Sequence, residues 1–212
     1  MKPIGVFSGS FNPVHIGHLA LANWLCEYEE LSEIWFLVTP QNPFKDKVQL
    51  MDYDLRFNMV KEAIAGYPKF KASDIECSLP LPSYTIDTLR HLREIYPDCL
   101  FHLIIGADSW ENIGQWKESQ ALINEFPILV YPRKNHEYID IQNHSDAPPI
   151  VHCQLPHVRL VDAPLIDISS SFIRTAISEG KDVRFFLPET IRRYIRFFRV
   201  GASQKPLSFS TV

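Results

Sequence analysis

Residues 5–22, "GVFSGSFNPVHIGHLALA", decide the fold. The apolar run from Ile4 to Ser8 reads as a short strand, "GSFNPVH" (9–15) as a loop, and the residues from Ile16 onward as a helix. A strand passing through a glycine-containing loop straight into a helix is the first unit of an α/β fold. Glycine at position 9, followed by Ser10, lets the backbone come close to a phosphate. The helix start beyond offers unpaired N–H groups and a partial positive charge. His15 and His18 are three apart and share one face of that helix start. Gly17 between them removes a side chain where a ligand could approach. Two imidazoles and a row of N–H donors would then converge on one anion; the plainer alternative is an ordinary turn carrying two polar histidines.

Outward from this segment, strand and helix patterns alternate. "EIWFLVTP" (33–40) is a strand, and "QNPFKDKVQL" (41–50) is a polar loop. "DYDLRFNMVKEAIAG" (52–66) is a helix capped by Asp52 or Asp54 and stopped near Gly66. "FKASDIE" (70–76) is a strand, "TIDTLRHLREIY" (85–96) a helix and "LFHLIIG" (100–106) a buried strand. "KESQALINEF" (117–126) is a helix, and "PILVYPR" (127–133) and "VRLVDAP" (158–164) are strands. Helices follow at about 170–179 and 189–199. The alternation predicts a Rossmann-like α/β fold: an open, mostly parallel sheet with helices on both faces and a small C-terminal helical region, 168–200. One domain is expected over 1–200, with 134–157 as a long polar, proline-containing excursion and 201–212 as a fraying tail.

Composition narrows the function. The formal net charge of -4 speaks against a nucleic-acid partner, for which a basic excess is usual. The basic run "IRRYIRFFR" (191–199) reads as one amphipathic helix with a solvated Arg face. Nothing approaches the run of roughly 20 apolar residues of a membrane span, and no signal peptide is visible. The four cysteines are scattered without a CxxC, as expected of free thiols in a reducing cytoplasm. Nothing in the sequence specifies an oligomeric state. His152, Cys153 and His157 could bind a transition metal, but their spacing matches no standard zinc pattern, and an incidental role fits them better.

A second segment completes the pattern. In "ISSSFIRTAI" (168–177) three serines precede a helix, with Arg174 one turn in. The serines can cap the helix and donate to phosphate oxygens, and the Arg fork can reach the same anion; a plain serine cap with a surface Arg is the alternative. Together, "GSFNPVHIGHL" (9–19) and this segment resemble the two signatures of the HxGH nucleotidyltransferase superfamily. That resemblance implies catalytic roles for His15, His18, Lys45 and Arg174, with ATP held by Gly9, Ser10, Phe11, Gly106, Asp108, Ile168, Ser169 and Ser171. It implies direct attack by the acceptor's own phosphate, with no covalent enzyme intermediate. Catalysis would then rest on positioning and electrostatics. Asn12 stands where the family usually has Asp; either can hold the turn through side-chain-to-backbone bonds.

Four further segments resemble bacterial nicotinate-nucleotide adenylyltransferases. They are "PSYTIDTL" (82–89), "IIGADSWENIGQW" (104–116), "ILVYPR" (128–133) and "LPETIRRYI" (187–195). The resemblance implies that Lys45, Tyr84, Thr85, Trp116 and Arg133 bind the acceptor, nicotinate mononucleotide. Trp116 would stack on the pyridine ring, and N–H groups near Tyr84 and Thr85 would hold its carboxylate. Packing between helices is the alternative for Trp116, and a helix N-cap is the alternative for Asp108. "PFK" (43–45) departs from the family's "PHK", so no role passes to Phe44, and Lys47 shares the phosphate contact or is a solvated charge. Mg²⁺ would ride on the ATP phosphates, with no protein metal site. Two other readings stay in view: an adenylyltransferase for another phosphorylated acceptor such as phosphopantetheine, and an inactive nucleotide-binding module.

Overall fold

The computed structural model describes residues 1–40, 50–134 and 157–200. Six strands form one sheet: β1 (Lys2–Gly9), β2 (Glu33–Val38), β3 (Phe70–Ser73), β4 (Cys99–Gly106), β5 (Ile128–Tyr131) and β6 (Val158–Leu160). Their order is β3-β2-β1-β4-β5-β6. Every pairing is parallel, so the described sheet is wholly rather than mostly parallel. Helices α1 (Ile16–Tyr28), α2 (Tyr53–Ile64), α3 (Thr85–Ile95), α4 (Ala107–Glu111), α5 (Ser119–Glu125), α6 (Ser170–Ser178) and α7 (Ile195–Val200) accompany it.

Side-chain alternation along the strands creates two cores. Phe7, Ile34, Phe36, Ile104 and Leu129 point to one face, where Leu21 and Leu25 of α1, Met59 of α2 and Ile173 of α6 cover them. Ile4, Val6, Trp35, Leu37, Leu103 and Ile128 point to the other, under Leu89 and Leu92 of α3 and Leu122 of α5. A strand buried on both faces reads as a continuous apolar run, which is why "EIWFLV" and "LFHLIIG" were legible as strands. Full burial of side chains such as Phe36 and Leu89 stabilises by about 1.5–3 kcal/mol each.

Local chemistry moves some boundaries. Asp52 caps α2, its carboxylate accepting the N–H of Asp54 (2.9 Å) and Leu55. Strand β3 ends at Ser73, earlier than the strand expected through Glu76. There Ser73 Oγ accepts the Ile75 N–H and Cys77 N–H donates to Asp74 O, turning the chain into a 3-10 turn at Ile75–Ser78. The single helix expected at 189–199 is a 3-10 turn, Glu189–Tyr194, running into α7. Tyr194 pins it to α2 by donating its hydroxyl to Glu62 (2.7 Å). The excursion joins β5 to its parallel neighbour β6, and residues 135–156, with the tail 201–212, lie outside the described residues.

The chain winds from β1 outward to β2 and β3, then returns to the middle and winds the other way through β4, β5 and β6. The order reverses between β1 and β4. In open α/β sheets, ligands bind outside the carboxyl ends of the strands at such a point.

Candidate active site

A cavity of about 690 Å³ lies at that reversal, bordered by the ends of β1, β4 and β5 and the first turns of α1, α3 and α6. Its size suits a small-molecule ligand. Every site residue expected from the sequence borders this one cavity, apart from Lys45. Lys45 lies outside the described residues, as do Phe44, Lys47, His152 and Cys153. Residues as far apart in sequence as Phe7 and Arg174 therefore border one cavity because the sheet brings strand ends together.

The first loop is built more tightly than its sequence suggests. A side chain at Gly9 would sit 3.2 Å from the Phe11 ring, so this glycine also makes room for Phe11. Phe11 has φ 44, in the left-handed region where a bulky residue is strained. Its ring is buried against Phe7 (centroids 5.8 Å) and His18 (5.1 Å). What Phe11 can offer a ligand is backbone. Gly17 is likewise a packing glycine: a Cβ there would lie 3.0 Å from His15 Nδ1 and 3.2 Å from Ile166 Cγ2. Asn12 reaches outside its own turn, its Oδ1 accepting the Met51 N–H at 3.4 Å.

The two histidines are stacked, with ring centroids 3.6 Å apart. The backbone N–H of His15 donates to His18 Nδ1 at 3.2 Å. That bond requires Nδ1 to be unprotonated, so Nε2 carries the ring N–H of His18. His15 is only 3% exposed. Burial, helped by the nearby positive charge of Arg133, lowers its pKa to about 3. His15 is therefore a neutral imidazole at physiological pH.

The second segment is locked onto the first. Ser169 caps α6 by accepting the Phe172 N–H (3.1 Å). Ser170 Oγ donates to Pro13 O at 2.8 Å. Arg174 Nη1 donates to Asn12 O at 2.8 Å, and its Nη2 donates to Ser171 Oγ at 3.2 Å. The start of α6 is thus clamped beside the start of α1, and both present their positive ends to the same cavity.

On the far side, Gly106 leaves space for Asp108, whose Oδ1 would be 2.3 Å from a Cβ at position 106. Asp108 lies in the first turn of α4, and the N-cap is Gly106, so the carboxylate is not a helix cap. It faces Arg133, with Nε at 3.7 Å, while Arg133 Nη2 donates to Tyr131 OH at 3.0 Å. Trp116 packs its partly buried ring on the lower core and still borders the cavity. Tyr84 is the N-cap of α3, with no side-chain cap of its own, and Thr85 is the first helical residue.

Sequence reasoning missed two buried charges. Arg56 of α2 is 1% exposed and donates to the carbonyls of Ser10 (2.8 Å), Thr39 (2.9 Å), Met51 (2.9 Å) and Pro40 (3.2 Å). It ties the ends of the first loop, β2 and the segment before α2 to one buried cation. Glu76, 5% exposed, borders the cavity and accepts from Ser8 and Ser83. The sequence reading singled out neither, because a charged side chain that turns inward leaves no local sequence signal.

The polar groups of the cavity are mostly donors: helix N-termini, ring and guanidinium N–H groups, and serine hydroxyls. Two of them, Ser10 Oγ and Arg133 Nε, are buried without a hydrogen-bond partner among the described residues. Buried donors are normally satisfied, so such atoms mark where a ligand's acceptors would go. Among the described residues no three His, Cys, Asp or Glu side chains gather to hold a metal. The lining suits a polyanion with an organic body beside it.

A doubly wound sheet with this anion cradle at its reversal point is the architecture of a nucleotide-binding protein. The chain belongs to the Cytidylyltransferase-like family, whose model matches residues 6–176. Within that class its relatives are the nicotinate-nucleotide adenylyltransferases. A Bacteroides thetaiotaomicron protein named "Probable nicotinate-nucleotide adenylyltransferase" is 51% identical over 91% of this chain and 90% of its own length. A Bacteroides fragilis protein of the same name is 50% identical over the same shares. The Plasmodium falciparum nicotinic acid mononucleotide adenylyltransferase complexed with NaAD superposes with a TM-score of 0.74. It covers 93% of this chain and 96% of its own at 23% identity, and so bears on the fold alone.

Proposed function

We propose that this chain is an adenylyltransferase that moves AMP from ATP to nicotinate mononucleotide, giving deamido-NAD and pyrophosphate in NAD biosynthesis. One observation carries the reading: both phosphate signatures and three of the four acceptor-family segments, 82–89, 104–116 and 128–133, border a single cavity, with the two signatures hydrogen-bonded to each other. A phosphate oxygen of the acceptor attacks the α-phosphorus of ATP. The bond from that phosphorus to the bridging oxygen breaks, and pyrophosphate leaves. Charge builds on the transferring phosphoryl oxygens, where His18 Nε2–H, Arg174 and the first N–H groups of α1 and α6 are assigned to meet it. His15, being neutral, contributes as a dipolar donor and by backing His18.

Gly9, Ser10 and Phe11 are assigned to the nucleotide phosphates, Gly106 and Asp108 to its ribose side, and Ile168, Ser169 and Ser171 to its adenine side. Tyr84, Thr85, Trp116 and Arg133 are assigned to the acceptor, with Lys45 as a cation shared between the substrates. Mg²⁺ enters with ATP, held by phosphate oxygens and water, and offsets their charge. Among the described residues no helix is long and apolar enough to cross a membrane, and Cys26, Cys77 and Cys99 are free thiols. Both suit a cytoplasmic enzyme. Incubation with ATP, Mg²⁺ and nicotinate mononucleotide should yield pyrophosphate and a dinucleotide of the mass of deamido-NAD. Pyrophosphate release with phosphopantetheine alone, or with no acceptor offered, would overturn the reading.

A further inference from the structure

No other Asp or Glu among the described residues is as buried as Glu76, and its partners are unusual. Among the described residues it forms no ion pair. Its Oε1 accepts from Ser8 Oγ at 3.3 Å and its Oε2 from Ser83 Oγ at 3.2 Å; the Thr39 hydroxyl also hydrogen-bonds to it. Burial pushes its pKa up, and the three hydroxyls counter this in part. A carboxylate buried among hydroxyls costs more than an apolar residue of the same size. Filling space in the core does not explain it.

The places it connects do. Ser8 is the second-last residue of β1, and Thr39 follows the last residue of β2. Ser83 directly precedes Tyr84, the N-cap of α3. Glu76 therefore ties two strand ends on the nucleotide side to the start of the helix on the acceptor side. Glu76, Ser83, Tyr84 and Thr85 all border the cavity. Tyr84 gives α3 no side-chain cap, so the aim of the first-turn N–H groups depends on how the 80–84 segment is held.

We propose that Glu76 is a positioning residue for acceptor binding: through Ser83 it fixes the α3 N-terminus at the distance from β1 that an acceptor carboxylate needs. This rests on the reading above, in which nicotinate mononucleotide places its carboxylate at Tyr84 and Thr85. A carboxylate is required because it can accept from both serines at once. Glutamine keeps the shape but turns an NH₂ group toward one of them, forcing that hydroxyl to rotate.

Steady-state kinetics on purified wild type, Glu76→Gln, Glu76→Ala and Ser83→Ala tests the proposal, with KM measured separately for each substrate. Glu76→Ala should raise KM for nicotinate mononucleotide at least about tenfold, the scale for losing a charge-assisted hydrogen bond that orients a binding group. Glu76→Gln should lie between it and wild type, and Ser83→Ala should show a smaller rise of the same kind. KM for ATP should stay within about twofold in all three, a split that general loss of packing would not produce. If Glu76→Ala does not fold, Ser83→Ala, which deletes a single hydroxyl, carries the same comparison. An active wild type whose variants leave the acceptor KM unchanged, or raise both KM values together, overturns the role of Glu76 alone. A wild type that does not use nicotinate mononucleotide overturns the functional reading, and this inference with it.

Discussion

The halves of the cavity proposed for the nucleotide and for the acceptor are held in different ways. Around the first, hydrogen bonds between distant segments fix the backbone: Arg174 to Asn12, Ser170 to Pro13, and Arg56 to Ser10, Thr39 and Pro40. Around the second, the contact groups sit at the rim. Tyr84 is 37% exposed, and Lys117 places its ammonium 5.0 Å from that ring while pairing with Asp87 (2.8 Å). The difference teaches where each demand is met. Charge stabilisation needs donors that do not reorganise, and it is built on cross-linked backbone. On the proposed reading, acceptor recognition would use surface side chains and one helix start.

If that division holds, the largest loss follows from the nucleotide half. His18→Ala should lower kcat by roughly 10²–10³, the scale for one transition-state donor, with a much smaller change in ATP affinity. A kcat within a few-fold of wild type would remove His18 from the chemistry. Arg174→Ala should cost about 1.5–3 kcal/mol in kcat/KM for ATP. The serine cap alone would suggest that folding is untouched by this change, but the bond from Arg174 to Asn12 O adds a lowered melting temperature. Normal kinetics with a lowered melting temperature would make Arg174 a clamp and nothing more.

A pH measurement sharpens the same half. Buried His15 has a folded pKa of about 3 against 6.5 unfolded. Between those values the unfolded chain binds the extra proton, so stability is full above pH 6.5 and falls as pH drops toward 3. His15 should therefore contribute about 1–2 kcal/mol of the destabilisation seen between pH 7.5 and 5. Denaturant melts of wild type and His15→Gln at both pH values measure it; equal pH slopes would contradict the burial argument. The smallest effect belongs to the acceptor rim. Trp116→Ala should weaken nicotinate and nicotinamide mononucleotides alike by about 0.5–1.5 kcal/mol, because stacking accepts either ring. A change in their ratio would mean that Trp116 discriminates.

The same division shows in what the sequence disclosed. The six strands, the two signatures and the acceptor segments were legible, because buried strands read as apolar runs and the His-x-Gly-His pattern is local. The cross-links were not. Nothing near Arg56 in "DYDLRFNM" shows that its guanidinium turns inward to four carbonyls. Nothing in "FKASDIE" shows that the strand breaks at Ser73 and swings Glu76 under the cavity. The sequence marks Gly9 and Gly17 but not the side chains packed against them. Their missing side chains accommodate Phe11, His15 and Ile166, contacts that arise only once the loop has folded back.

On the proposed reading, the acceptor half of the cavity selects a carboxylate-bearing ring. The N–H groups at the start of α3 favour an acceptor-only carboxylate, whereas an amide would point its NH₂ at a donor and leave it unpaired, at about 1–3 kcal/mol. The direct test is kcat/KM for nicotinate mononucleotide against nicotinamide mononucleotide, under one set of conditions with saturating ATP. The ratio should favour the nicotinate form by at least roughly tenfold and up to several-hundredfold. Equal efficiencies, or a preference for the amide, would contradict it.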